Sequence, residues 1–304
     1  MPDEKIPVLL DTDIGTNIDD ALALAYLLRQ PRCELLGVTT VTGDVGQRAE
    51  IVAAVCRASG RPFVPVHCGA RDPLLLGPGQ PDVPLYEATG HRAADGPRLT
   101  SRALPAAEFL RRTIRGRPRT ALLSIGPLTN VATLLALEPA VASSIGPFVS
   151  MAGVFFPHER RTETNTRVDP IAAAIVYHTW ERISNTSIPS LPTHVSIGLD
   201  VTARCMLPGA EARARLKTLP EPVLEMLDLW LRTHDEVPFH DALAAATLFR
   251  PGLCTYADGR VTVDAKPDSP DAGRTTFTPG AGHHRVATGV DAGAFFEEYF
   301  GVFE

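Results

Sequence analysis

At 304 residues, 44% apolar and 21% charged, the chain has the composition of a folded globular protein and is long enough to bury one large core. Its net charge of −6 argues against non-specific binding to nucleic acid or to an anionic membrane, since both need a basic surface. No run is long and apolar enough to span a bilayer, the first residues lack signal-peptide character, and the five cysteines are odd in number without Cys-x-x-Cys spacing, which points to free thiols in a reducing cytoplasm.

The chain opens on the apolar strand Val8-Leu9-Leu10, which runs into Asp11-Thr12-Asp13-Ile14-Gly15-Thr16-Asn17-Ile18-Asp19-Asp20. A helix follows from Asp19, apolar on nearly all sides and therefore predicted buried. Asp19 and Asp20 at its start suit the helix dipole, which is the plain structural explanation for them. Four Asp in ten residues exceed that need, because packed carboxylates repel unless a proton or a cation neutralises them.

Leu35 to Val41 reads as the next parallel strand, with Thr42-Gly43-Asp44 as its turn, and Ile51, Val52, Val55 and Cys56 form one helical stripe. Pro62 to His67 reads as a strand. Residues 71–100, rich in Pro, Gly, Asp and Arg, read as a long surface loop, and loops of that length are usually functional or disordered. Leu104 to Ile114 is a predicted helix, and Thr120 to Ile125 a buried strand stopping at Gly126-Pro127. Leu128-Thr129-Asn130 opens another apolar helix. Phe148 to Met151 is a strand, residues 154–168 a polar loop, and Asp169-Pro170 the start of an Ala-rich helix with Asp as its cap.

Val195 to Val201 reads as a strand. Val223, Leu224, Leu227, Trp230 and Leu231 give a helical stripe, and Phe239-His240-Asp241 opens a buried helix. Cys254 to Val286 alternates weakly and suggests a short β segment, before a closing helix from Val290 to Phe300. This succession predicts an α/β protein with a mostly parallel sheet. With no repeat and no linker-like composition, residues 1–304 read as one domain.

The strand ends supply Asp11, Asp13, Asp19, Asp20, Asp44, Glu163, Asn165, His240 and Asp241. Loops at the carboxyl ends of one parallel sheet converge on one edge, so these groups can share a cleft. Oxygen ligands without a Cys/His cluster favour Ca²⁺ or Mg²⁺ over Zn²⁺. A metal-bound water beside a carboxylate is a nucleophile at neutral pH. His240, beside a possible ligand Asp241, could donate a proton to a leaving group; a helix-terminal His held by local hydrogen bonds is the alternative.

These residues resemble the inosine–uridine nucleoside hydrolase family. Its Asp-x-Asp-x-Gly and Asp-Asp-Ala fingerprint is matched by Asp11 to Gly15 and Asp19 to Ala21. Val41-Thr42-Gly43, Gly126 to Asn130, Glu163-Thr164-Asn165 with Asp169-Pro170, a Leu199 to Thr202 strand, His240-Asp241-Ala242 and Ala287 to Asp291 continue the match in order. The resemblance implies a three-layer α/β/α, Rossmann-like fold and Ca²⁺-dependent hydrolysis of a ribonucleoside N-glycosidic bond, as in purine or pyrimidine salvage. It implies that Asp13 is a metal ligand and the general base. Asp20, Asp241 and the Ile125 carbonyl would be further ligands, and Asp19, Glu163 and Asn165 would hold ribose hydroxyls. Asp11 would support the loop from behind. Asp44, where the family usually has Asn, would lie near water and ribose, and His240 where some members place a leaving-group acid. It also implies a small-molecule nucleoside as partner, and a homo-oligomer, dimer or tetramer.

The chain departs from the family's pattern in a longer Gly15–Asp19 turn, in Asp44, and in Arg160-Arg161 in place of a Gly-Asn pair. Arginine suits phosphate, which would fit a modified nucleoside, whereas two solvated loop arginines are the alternative reading. His91 with Asp95-Gly96, His234 and the His283-His284 pair are weaker site candidates. Two other functions fit parts of the pattern. Asp11-Thr12-Asp13 at a strand end also suits a haloacid-dehalogenase-like phosphatase, though Gly15 stands where that chemistry wants Thr or Val. Asp44 would also suit a non-catalytic calcium and riboside binder.

Overall fold

A computed structural model of the chain describes residues 5–75, 77–89, 105–184, 193–266 and 269–304. In chain order the first half contains β1 (Ile6–Thr12), α1 (Asp19–Arg29), β2 (Cys33–Thr40), α2 (Val45–Ala58), β3 (Val66–Cys68), α3 (Ala106–Gly116), β4 (Thr120–Ser124), α4 (Thr129–Leu137) and β5 (Ile145–Met151). The middle holds α5 (Thr164–Val168), α6 (Pro170–Ser184), β6 (His194–Ile197), α7 (Leu199–Thr202), β7 (Met206–Pro208), α8 (Gly209–Arg215), α9 (Glu221–Trp230), β8 (Glu236–Pro238) and α10 (His240–Thr247). The end holds β9 (Cys254–Val263), β10 (Thr275–Pro279), β11 (His284–Val290) and α11 (Ala292–Gly301).

One nine-stranded sheet runs β10-β9-β11-β6-β5-β4-β1-β2-β3. From β3 across to β11 every pairing is parallel; β9 and β10 add an antiparallel edge. Successive side chains of a strand point to opposite faces, so a sheet covered on both sides reads as an apolar run. β1 shows this directly: Val8 and Leu10 enter one core, with α1, α2 and α10, while Leu9 enters the other, with α3, α4 and α6. The result is the three-layer α/β/α arrangement that the family resemblance implies.

The strand order 3-2-1-4-5-6 reverses between β1 and β4. Chains leaving those two strands turn to opposite faces and leave a crevice at their carboxyl ends, where ligands of such sheets bind. Asp13 follows β1 and Ile125 follows β4, so the acid-rich turn sits at that point.

Several elements differ from the sequence reading. Leu199 to Thr202 is a helical turn: β6 ends at Ile197, level with Met151 at the end of β5. The 154–168 loop contains α5, started by Glu163, whose side chain accepts the amides of Asn165 and Thr166. The strand expected from Pro62 shrinks to Val66–Cys68. The weakly alternating tail forms three strands of the main sheet, with Pro279 at the end of edge strand β10, where a missing N–H is tolerated. The small antiparallel pair β7–β8 had no sequence signal; each strand is three residues long. All five cysteines are free thiols, Cys68 half-buried and the others buried. Among the described residues no helix is long and apolar enough to cross a membrane.

Candidate active site

The turn after β1 builds the floor of the cleft. Gly15 has φ +106°, and a Cβ there would lie 2.5 Å from Val83 Cγ1, so the turn requires glycine. Gly126 is required for a different reason: its Cβ would meet the Asp13 amide nitrogen at 2.9 Å. Gly126 thus lets the β1 and β4 ends approach each other, while Gly15 makes room for Val83 and Ile51.

Asp13, Asp19, Asp20, Ile125, Glu163, Asn165, His240 and Asp241 line one cleft, together with Thr16, Asn17, Gln80, Met151, Arg160, Thr164 and Leu199. Seven sequence-predicted side chains and the Ile125 backbone, drawn from four separate stretches of chain, therefore meet. Asp13, Asp19, Asp20 and Asp241 are only 4–6% exposed. Asp19 and Asp20 do not cap α1, which begins without a side-chain cap. They stand in the first turn, where the dipole favours them, but they form no cap.

One carboxylate oxygen from each of Asp19, Asp20 and Asp241 lies within 4.8 Å of the other two. Asp13 stands beside this triad, and its negative charge raises the pKa of all three. Burial is the largest cause in each case, and Asp20 and Asp241 end well above the usual carboxylate range. Asp13 is also raised by burial, with Arg48 pulling it down. Asp19 Oδ1 is buried and has no hydrogen-bond partner. Four buried acids with an unsatisfied oxygen fit a hard divalent cation, which supplies charge and oxygen coordination together. Asp19, read from sequence as a ribose contact, is placed here as a candidate ligand.

Thr12 Oγ1 donates to Asp20 Oδ1 at 2.5 Å and so aims that carboxylate. Asn165 Nδ2 donates to the carbonyls of Ile125 (2.9 Å) and Met151 (3.0 Å), which leaves its Oδ1 free of these bonds. Glu163 accepts the amides of Asn165, Thr166 and Gly153, yet burial still pushes it up to about 7. His240 follows directly from β8, and the amide of its neighbour Phe239 bonds Cys205 O at 3.0 Å, so the β7–β8 pair sets where the imidazole sits. His240 Nδ1 is buried without a partner, and burial lowers its pKa to about 4, so the ring rests neutral.

Asp11 is fully buried beneath the floor, outside the cleft lining. Thr39, Asn130 and Ser124 donate to it, and burial pushes it up to about 7. That is a supporting position, and it leaves no room for Asp11 as a phosphatase nucleophile. Asp44 is also outside the lining. Its Oδ1 caps α2, accepting from Gly46 N and Gln47 N at 3.1 Å each. His234 stacks on Trp230 at 3.6 Å and is exposed, and His284 is buried with Nε2 against Tyr177 O, so neither reaches the cleft. His91 and Asp95-Gly96 lie outside the described residues.

The residue that sequence reasoning missed is Arg48, which is fully buried. Its guanidinium donates to the carbonyls of Asp13, Ile14 (3.0 Å), Thr42 (2.8 Å), Gln80 (3.2 Å) and Asp82 (3.4 Å) and to Thr16 Oγ1 (3.0 Å). One side chain thus ties the catalytic turn, the turn after β2 and the 71–89 loop. It also holds Thr42, a β-branched residue at φ +62°. The available signal was its place on the buried stripe, three, four and seven residues before Ile51, Val52 and Val55.

The family model for inosine-uridine preferring nucleoside hydrolases matches residues 8–297. The chain belongs to that family. Among its relatives, the pyrimidine-specific ribonucleoside hydrolase RihA of Klebsiella pneumoniae is 30% identical over 283 residues, covering 86% of this chain and 85% of that one. Uridine nucleosidase 1 of Arabidopsis thaliana is 28% identical over 270 residues, 85% and 78% of the two chains. The solved purine-preferring ribonucleoside hydrolase from Gardnerella vaginalis superposes with a TM-score of 0.82 at 25% identity, covering 98% of each chain. As a nucleoside hydrolase, the chain is an enzyme of ribonucleoside hydrolysis, and the phosphatase reading falls.

Proposed function

We propose that this nucleoside hydrolase cleaves the N-glycosidic bond of a ribonucleoside to free base and ribose, with Asp13 as general base and a Ca²⁺ ion held by the acid cluster. The observation that carries this is the convergence of Asp13, Asp19, Asp20, Ile125 and Asp241 at the β1/β4 switch point. Asp19, Asp20 and Asp241 supply carboxylate oxygens to the ion, with Asp13 and the Ile125 carbonyl beside them. When bound, such an ion would neutralise the buried acids and supply Lewis acidity at the cleft floor.

Asp13 takes a proton from the attacking water as its oxygen bonds to the anomeric carbon. The carbon–nitrogen bond breaks, and its electron pair moves to the base. Positive charge grows on the sugar, and the carboxylates of Glu163 and the Asp cluster face it. Glu163 and Asn165, locked by backbone contacts, bind ribose hydroxyls without reorganising. His240 is neutral at rest; it protonates the departing base only if its proton is supplied as the bond breaks. The names of the relatives span pyrimidine and purine nucleosides, so the reading covers a ribonucleoside of either class.

One sheet carrying strands from Ile6 to Val290 supports a single domain. The test is a reducing-sugar assay over uridine, cytidine, inosine and adenosine, with Ca²⁺ and with chelator. An Asp13→Asn variant keeps the shape and removes the base, and its turnover is expected to fall on the order of 10²–10⁴-fold. Turnover equal to the parent's would remove Asp13 from the mechanism. A parent that binds nucleosides with Ca²⁺ and releases no base would leave the non-catalytic binder.

A further inference from the structure

The 155–163 loop carries two adjacent arginines with different surroundings. Arg161 turns away and pairs with Asp271 at 3.2 Å. Arg160 lines the cleft, exposed at its mouth. Its amide donates to His158 Nδ1 at 3.1 Å, which closes the turn that presents it. Its guanidinium makes no hydrogen bond or ion pair among the described residues. Among the described residues the cleft lining contains five carboxylates and one permanent cation, and Arg160 is that cation. Arg160 and His240 line the same cleft.

The acids are buried on the floor, where they suit ribose hydroxyls and a cation. The base must leave through the mouth. When the glycosidic bond breaks, the electron pair passes to a ring nitrogen and the base becomes an anion unless it is protonated. We propose that Arg160 is a catalytic residue of the leaving group: its guanidinium meets the departing base and stabilises the negative charge that builds on it. This rests on the hydrolase reading above. Atoms balance without a further reactant: the water oxygen joins the anomeric carbon, its proton goes to Asp13, the base anion takes a proton afterwards from solvent, and Asp13 returns its own to solvent. A planar, always-charged donor fork suits carbonyl and ring-nitrogen acceptors of a flat heterocycle.

The test compares leaving groups. Uridine and inosine release uracil and hypoxanthine, whose anions are more basic than a nitrophenolate, whereas p-nitrophenyl β-D-riboside releases a stable phenolate that needs no help. Parent, Arg160→Met and Arg160→Lys are assayed with Ca²⁺ on these three substrates and on uridine 5′-monophosphate. Removing one buried oxyanion donor typically costs roughly 10²–10³-fold; at this exposed position solvent screening reduces that to roughly 10- to 100-fold in kcat/KM on the nucleosides. Arg160→Met is expected to show that loss, Arg160→Lys part of it, and both to cleave the nitrophenyl riboside within about threefold of the parent.

Equal losses on all substrates would place Arg160 on the ribose or in the loop's architecture and overturn the proposal. So would no loss on any, or a loss confined to the 5′-phosphate, which would make the arginine an anion subsite. A parent inactive on every substrate would instead sink the hydrolase reading itself.

Discussion

Replacing Arg48 by Met tests whether one buried cation holds the active-site turn. The thioether preserves most of the stem and removes the guanidinium. The parent side chain donates to five carbonyls and one hydroxyl in three segments. Hydrogen bonds from a charged donor contribute ~1.5–3 kcal/mol each, but they form one network and do not add; removing one partner of a buried charged network costs ~3–5 kcal/mol. At ~2.1 cal/mol/K per residue, a 304-residue chain unfolds with an entropy of about 0.6 kcal/mol/K, so the melting temperature should fall by about 5–8 °C.

The same cation pulls down the pKa of Asp13. Without it Asp13 holds its proton to higher pH, so the acid limb of the kcat/KM profile should move upward. Scanning calorimetry and a pH–rate profile on one nucleoside read the two effects separately. Arg48→Lys keeps the charge but cannot reach all three segments, so it should recover the pH limb more than the stability. A Met variant melting within about 1 °C of the parent, with an unmoved acid limb, would refute the reasoning.

Two more outcomes follow from the same geometry. Asp44→Ala should cost ~1 kcal/mol through loss of the α2 cap and leave kcat/KM within about threefold; abolished turnover at unchanged stability would return Asp44 to the substrate site. For the metal, the sign follows from carboxylates whose folded pKa values are raised: their contribution to stability is full below the unfolded value near 4 and is lost as pH rises through the folded one. A cation favours the ionised cluster, so the gain in melting temperature on adding Ca²⁺ should grow from pH 5 to pH 8. At a concentration one hundred times Kd it should reach ~2.7 kcal/mol, or about 4 °C. A gain that shrinks with rising pH, or that survives intact in Asp241→Asn, would contradict an ion held by these acids.

Local pattern alone determined a good deal of this protein. The apolar runs around Leu9 and Leu122 announced strands buried on both faces, and the dense acids from Asp11 to Asp20 announced a cation-seeking turn, because charge and period are properties of neighbours along the chain. Gly15 and Gly126 were visible as motif letters, but their reason was not: each makes room for a residue from another segment. Tertiary structure alone decided that Asp19 joins Asp20 and Asp241, that Asp44 caps a helix outside the cleft lining, and that Arg48 faces inward to bind three turns. It also decided that Arg160 lines the cleft while Arg161 pairs with Asp271. A side chain's pKa, partner and direction depend on what packs against it, and those neighbours are supplied by the order of strands in the sheet, which residue spacing along the chain does not encode.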